Sequence, residues 1–303
     1  MELTRIELTT KTEDVDLLTA YLSAELRCGW EEQELGEISK CVLHFDSKNA
    51  AQELIDKITK DMPQIKLEKS TVPQTNWIEA WKEFFTPVIC GKHFIVLAPW
   101  MEKEKEEATK NGRFAIVIEP KTAFGTGHHA TTALCLKAFS RLLEEGKVKT
   151  GQRFLDLGTG SGILAIGAAS QGLSGLALDI DIMAIENALE NAGLNHVESK
   201  IEIRRGSLGP KFTTDNPEVG DGEYDGESPV TEEFDLIFAN ILAEPLKMLS
   251  PHIVKQLKKG GILILSGILK TQAEAVAEVY KKEGLNAPEI QTEADWASLL
   301  FVK

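Results

Sequence analysis

The chain reads as an α/β protein: a doubly wound parallel sheet preceded by a small α+β domain. Three observations carry that expectation. From Thr131 onward, apolar strand-like runs alternate with helix-period stretches, the pattern of parallel strands joined by crossover helices. The run Phe154-Leu155-Asp156-Leu157-Gly158-Thr159-Gly160-Ser161-Gly162 takes an apolar strand into glycines at alternate positions, and Leu176-Ala177-Leu178-Asp179 ends a second strand in a carboxylate. The N-terminal residues, by contrast, carry short elements in β-α-β-β-α-β order, the ferredoxin-like arrangement.

Taken in order, residues 3–8 alternate like a strand, and residues 15–26 place Val15, Leu18, Leu22 and Leu26 at helical spacing. Strands are predicted at 30–35, 39–45 and 65–68, and a helix at 50–58. Between Pro73 and Pro87, Trp77, Trp81, Phe84 and Phe85 fall on one helical face, which predicts a helix bridging two domains. The predicted organisation is therefore a small domain at 1–72, a linker helix at 73–86 and a large domain at 87–303. The large domain opens with strands at 94–98 and 114–119, joined by a charged loop at 101–112. Further strands are predicted at 153–157, 175–178, 201–204, 234–239, 262–266 and 298–302, with helices such as 183–192, 244–257 and 272–283 between them. Gly260-Gly261 reads as a helix stop. Residues 212–233 hold eight acidic residues and no Lys or Arg, which predicts a mobile, solvated loop.

The 303 residues are enough for a sizeable core, and 43% hydrophobic with 26% charged residues is ordinary for a globular protein. A net charge of -14 argues against a broad nucleic-acid surface, which needs clustered Lys and Arg. It suits a small-molecule or basic protein substrate. Cys28, Cys41, Cys90 and Cys135 form no Cys-x-x-Cys pair, so reduced thiols are expected rather than disulfides or a zinc site. Residues 1–16 carry no apolar signal core, and no apolar run approaches bilayer length. A cytoplasmic monomer with no membrane association is the expectation.

The glycine turn and the acidic strand end together form a nucleotide-binding corner. Glycine lets backbone turn sharply and approach a ligand closely, and Asp179 is placed to accept from ribose hydroxyls. The Gly-x-Gly-x-Gly spacing differs from the dinucleotide fingerprint; it suits S-adenosylmethionine, which has no pyrophosphate. Asp156, just before the turn, is a candidate for orienting the loop or the cofactor's amino group. Asn240 follows the apolar strand 234–239, at the carboxyl end where open sheets bind ligands; its amide serves a ligand or caps the next helix. In the third feature, 119–132, a glycine-rich loop precedes a helix. There His128-His129 is a weak metal set, better suited to loop contacts or capping, and no phosphate-loop lysine follows. No metal is expected.

Ala-Phe-Gly-Thr-Gly-His-His-Ala-Thr-Thr (123–132), Asp-Leu-Gly-Thr-Gly-Ser-Gly-Ile-Leu-Ala-Ile (156–166), Asp-Ile-Asp (179–181), Ala-Asn-Ile-Leu-Ala (239–243) and Leu-Ser-Gly-Ile-Leu (265–269) together resemble the bacterial methyltransferases of ribosomal protein L11. Residues 76–87 resemble that family's interdomain helix. The resemblance implies a seven-stranded class I methyltransferase sheet binding S-adenosylmethionine, with an N-terminal domain that recognises the ribosomal protein. It assigns Thr132, Gly158, Asp179 and Asn240 to cofactor contacts, with Phe124 and Gly160 beside them. Three departures stand out: Lys121 where glycine is usual, Ala130 where proline is frequent, and the long acidic stretch at 212–233.

The chemistry implied is methyl transfer to an N-terminal α-amino group and lysine ε-amino groups. The amine must be neutral to attack; an α-amino group titrates near ~8, whereas lysine, near ~10.4, needs desolvation or a proton acceptor. No residue declares itself the general base, so no catalytic residue is assigned. Competing expectations are methylation of another protein or of a nucleic-acid base, and a ribosome-associated binding protein that retains the cofactor fold without turnover. Base-modifying relatives usually carry an aromatic after the asparagine, where this chain has Ile241-Leu242-Ala243.

Overall fold

A computed structural model describes residues 2–15, 18–19, 21–22, 30–36, 38–45, 47–73, 86–119, 129–209 and 230–303. The predicted linker helix and most of the acidic stretch lie outside these residues. The chain divides into two compact units, Met1–Phe85 and Thr86–Lys303.

In the first unit, β1 (Glu2–Lys11), β2 (Glu31–Leu35), β3 (Ile38–Phe45) and β4 (Lys66–Pro73) form one antiparallel sheet in the order β2-β3-β1-β4. Strand alternation puts Thr4, Ile6, Leu8 and Thr10 of β1 on the buried face. The helix α1 (Lys48–Asp61) begins at Ser47, whose hydroxyl accepts from the Ala50 N–H at 3.3 Å, and buries Ala51, Leu54 and Ile58. Leu18 and Leu22, in the helical stretch after β1, pack into the same core. Sheet order and helix placement agree with the predicted β-α-β-β-α-β pattern.

The second unit opens with β5 (Val88–Cys90), β6 (Phe94–Leu97) and β7 (Phe114–Val117), in which β6 and β7 are parallel. The expected charged loop between them is instead a helix, α2 (Glu102–Lys110). A parallel pair needs a crossover, and Glu, Lys and Ala are good helix formers. Glu102 and Glu104 in its first turn and Lys110 in its last complement the helix dipole.

There follow α3 (Ala130–Glu144), β8 (Arg153–Leu157), α4 (Ile163–Ser170), β9 (Ser174–Asp179), α5 (Ile182–Leu194), β10 (Ile201–Arg205), β11 (Phe234–Asn240), α6 (Ala243–Gln256), β12 (Leu257–Leu269), α7 (Ala273–Lys282), β13 (Glu289–Glu293) and β14 (Trp296–Val302). Seven strands form one sheet in the order β10-β9-β8-β11-β12-β14-β13. It is parallel from β10 to β12, but β14 runs antiparallel to both β12 and β13, which corrects the expectation of a parallel sheet throughout. β13 was not predicted, because only Ile290 in it is apolar, as suits an exposed edge. Gly260-Gly261 lies inside β12 rather than ending a helix; α6 stops at Gln256.

Core side chains cover both faces of the sheet. Phe94, Phe139, Phe154 and Phe238 lead the cluster under α3 and α4. Leu155, Leu246, Ile253, Tyr280 and Phe301 lead the cluster under α6 and α7. Burial on both faces explains the near-continuous apolar runs of β8 and β11. The chain leaves β8 toward β9 and β10, then returns to β11 on the other side of β8. The carboxyl ends of β8 and β11 therefore flank a topological switch point, the crevice where open α/β sheets bind ligands. Cys41, Cys90 and Cys135 are buried free thiols; Cys28 lies outside the described residues. Among those residues no helix is long and apolar enough to cross a membrane.

Candidate functional site

β8 delivers Asp156 and Leu157 to the switch point, and the chain then turns through Gly158-Thr159-Gly160-Ser161-Gly162 into α4. The three glycines have φ of +73°, +54° and +82°, a region that side chains disfavour. The turn is pinned to the end of β9: the N–H groups of Gly158 and Thr159 both donate to the Leu178 carbonyl, at 2.8 and 2.9 Å. A methyl on Gly158 would lie 2.2 Å from Cγ2 of Ile241, so that glycine is required by space as well as by φ.

Asp156 is fully buried. Its Oδ2 accepts from the Thr159 hydroxyl at 2.7 Å and from the Ala165 N–H at 3.1 Å, tying both sides of the turn to one carboxylate. Its Oδ1 has no donor among the described residues. Burial pushes its pKa up from 3.8 to about 7, against the two hydrogen bonds that favour the ionised form and with a small push from Asp179. Asp179, at the end of β9, is half-buried. Its Oδ2 accepts from the Gly160 N–H at 2.9 Å and its Oδ1 from the Asp181 N–H at 3.1 Å. Burial raises its pKa too, opposed by those N–H donors. Asp181 then caps α5 by accepting from the Met183 N–H at 2.9 Å.

Across the switch point, Asn240 ends β11 and its Nδ2 donates to the Thr132 hydroxyl at 3.3 Å. Thr132 is fully buried in the first turn of α3. Two predicted residues far apart in sequence thus meet. The Asn240 Oδ1 is buried and lacks a donor among the described residues. Asn240 is not the cap of α6; that position is Leu242, whose side chain makes no capping bond. The predicted capping by the histidine pair is seen at His129, whose Nδ1 accepts from the Thr131 N–H at 3.4 Å and lies 2.8 Å from the Thr131 hydroxyl. His129 also meets the ring of Trp296 edge-on, with centroids 4.8 Å apart. Phe124 and His128 lie outside the described residues.

Asp156, Gly158, Gly160 and Asp179 are therefore gathered at one glycine turn, within which Gly160 bonds Asp179, and Thr132 bonds Asn240 across from it. Ile241 joins them. Its Cγ2 rests on Gly158, while its backbone lies against Gly267, where an added methyl would come within 2.3 Å of the Ile241 carbonyl oxygen. Gly267, at φ +80°, sits in the register shift of β12 between Leu265 and Ile268. Sequence reasoning missed Ile241 and Gly267, because the contact between them spans two strands. It also missed Asn191, which bonds the Ser161 carbonyl. The repeat of asparagine at 187, 191 and 195, at the spacing of one helical face, was the signal available.

With this geometry in place, the likeness to known proteins is specific. Residues 6–303 match the family model described as ribosomal protein L11 methyltransferase (PrmA). A ribosomal protein L11 methyltransferase of Desulfitobacterium hafniense is 32% identical over 302 residues, covering 95% of this chain and 87% of that protein. Its counterpart in Chloroflexus aurantiacus is 36% identical over 242 residues, covering 77% and 71%. Among solved structures, a ribosomal protein L11 methylase of Lactobacillus delbrueckii subsp. bulgaricus superposes with a TM-score of 0.56 at 28% identity, over 72% of this chain and 98% of that one. The chain belongs to the ribosomal protein L11 methyltransferase family.

Proposed function

We propose that this chain transfers methyl groups from S-adenosylmethionine to amines of ribosomal protein L11, at its N-terminal α-amino group and at lysine ε-amino groups. The observation that carries this reading is the match to that family across residues 6–303. The donor set at the switch point supports it. Asp156 Oδ1 and Asn240 Oδ1 are buried acceptors in want of a donor, and an amino-bearing ligand brings donors.

When bound, S-adenosylmethionine supplies a methyl group already activated on a sulfonium. The protein's part is then alignment and exclusion of water. Asp179 accepts from the ribose hydroxyls while its remaining lone pairs keep the Gly160 turn in place. Asp156 fixes that turn through Thr159 and Ala165. Asn240, steadied by Thr132, would contact the cofactor and accept an N–H of the neutral acceptor amine. It has no capacity to take the proton. An α-amino group is substantially neutral at cellular pH, whereas a lysine must lose its proton through desolvation at the crevice. Gly160 and Phe124 complete the cofactor contacts, and the domain at residues 1–72 recognises the ribosomal protein.

The test is mass spectrometry of purified, unmodified L11 after incubation with this chain and S-adenosylmethionine. Mass gains in methyl multiples at the N-terminus or at lysines are expected. No gain, with cofactor binding measured separately, would overturn the substrate.

A further inference from the structure

Asn187, Asn191 and Asn195 recur every four residues along α5, so they share one face of the helix, and all three are buried. Buried amides need partners, and here the partners differ in kind. Asn195 holds β7 alone: its Oδ1 accepts from the Val117 N–H at 2.8 Å, and its Nδ2 donates to the Val117 carbonyl at 2.6 Å and to the Asn191 carbonyl at 2.8 Å. Asn191 bridges two regions. Its Nδ2 donates to the Ser161 carbonyl inside the glycine turn at 2.9 Å and to Asn187 Oδ1 at 3.2 Å. Its Oδ1 accepts from the Glu119 N–H, just beyond β7, at 3.0 Å. Ser161 adjoins Gly160, whose N–H engages Asp179. One planar amide thus sets the spacing between the turn and the chain that leaves β7.

We propose that Asn191 is a positioning residue for cofactor binding, holding Ser161, and through it the Gly160–Asp179 contact, at a fixed distance from Glu119. This rests on the functional reading above, which takes the turn as the cofactor's seat. Removing the amide takes away the donor to the Ser161 carbonyl and the acceptor for the Glu119 N–H, and the turn loses its tether. Asn195→Ala removes a comparable set of bonds from the same helix face without touching the turn, so it reports the general cost of loosening α5 from β7.

The experiment is calorimetric titration of S-adenosylmethionine into the unaltered chain, Asn191→Ala, Asn195→Ala and Asn191→Asp, at several pH values and with Tm measured alongside. Both alanine variants lose Tm. Asn195→Ala keeps its Kd within about twofold, whereas Asn191→Ala weakens it about tenfold, or about 1.4 kcal/mol. Asn191→Asp separates the two bonds: an ionised carboxylate still accepts from the Glu119 N–H but cannot donate to the Ser161 carbonyl, whereas the protonated form does both. Its affinity relative to the unaltered chain at the same pH therefore recovers as pH falls. Taking that ratio removes the contributions of Glu119, Asp156 and Asp179, the acidic groups nearby. Equal loss of affinity in both alanine variants, unchanged affinity in Asn191→Ala, or a pH-independent ratio for Asn191→Asp overturns the proposal. Failure of the unaltered chain to bind S-adenosylmethionine overturns the functional reading itself, and this proposal with it.

Discussion

Each side of the switch point leaves one buried oxygen without a donor among the described residues, Asp156 Oδ1 and Asn240 Oδ1, but the two sides differ in how many bonds hold the rest. On the β8–β9 side, Asp179 accepts from two backbone N–H groups, Asp156 accepts from a hydroxyl and a third N–H, and Asn191 donates to the Ser161 carbonyl. On the β11 side, among the described residues, Asn240 makes one side-chain bond, of 3.3 Å, and its Oδ1 has no donor, while Leu242 follows with 67% of its surface exposed. The first side is built by side chains holding backbone. The second is built by shape, with Ile241 wedged between Gly158 and Gly267. Under the proposed function the cofactor belongs to the first device and the acceptor amine to the second, with Ile241 touching both through Gly158.

The sharpest way to test that separation uses the two glycines. Gly158→Ala pushes a methyl into Ile241 and forces a side chain to φ +73°; cofactor affinity should fall by about 100-fold or more, read by calorimetry. Gly267→Ala acts from the other side on the Ile241 backbone, so turnover should fall by about tenfold to 100-fold with cofactor affinity within about threefold. Parallel losses in both quantities would show one device rather than two. Asn240→Ala should lower kcat by about tenfold, as measured by single-turnover methylation, and through its assigned cofactor contact weaken the cofactor Kd by about threefold. Asp179→Ala should do the reverse, weakening the cofactor by about tenfold and sparing the rate at saturation.

The smallest effect concerns pH. Asp156 holds its proton up to about pH 7 in the folded chain, against an ordinary value of 3.8. A raised carboxyl contributes stability that is complete below the unfolded pKa and is lost as pH rises through the folded one. Tm should therefore decline between about pH 4 and pH 7, and Asp156→Asn should flatten that decline. Asp179, raised in the same direction, adds to that decline. An unchanged slope in Asp156→Asn would place the titration elsewhere.

Most of the β8–β9 side was legible in the sequence, because it is local: strand, glycine turn, helix and acidic strand end follow within residues 153–179. The ends of β11 and α3 were legible as separate motifs, while the meeting of Asn240 with Thr132 needed the fold. Less was readable where the determinant is partnership rather than pattern. The helix Glu102–Lys110 has a nearly all-charged sequence, so it carries no apolar stripe to mark it; the parallel pairing of β6 with β7 is what calls for it. The edge strand Glu289–Glu293 is visible only through its pairing with β14. Ile241 looks like any core residue until Gly158 and Gly267 are seen on either side.

The placement of β14 also bears on the order of assembly. Residues 296–302 lie between β12 and β13 in the sheet, although β13 precedes them in the chain. As the polypeptide emerges from the ribosome, the outer side of β12 stays open until the residues of β14 have been made, even after those of β13 are free. A nascent chain halted before Trp296 would present the unpaired backbone of Ile262–Leu265 next to the very motifs that form the switch point. The strand that closes the sheet thus also separates a finished fold from an aggregation-prone intermediate.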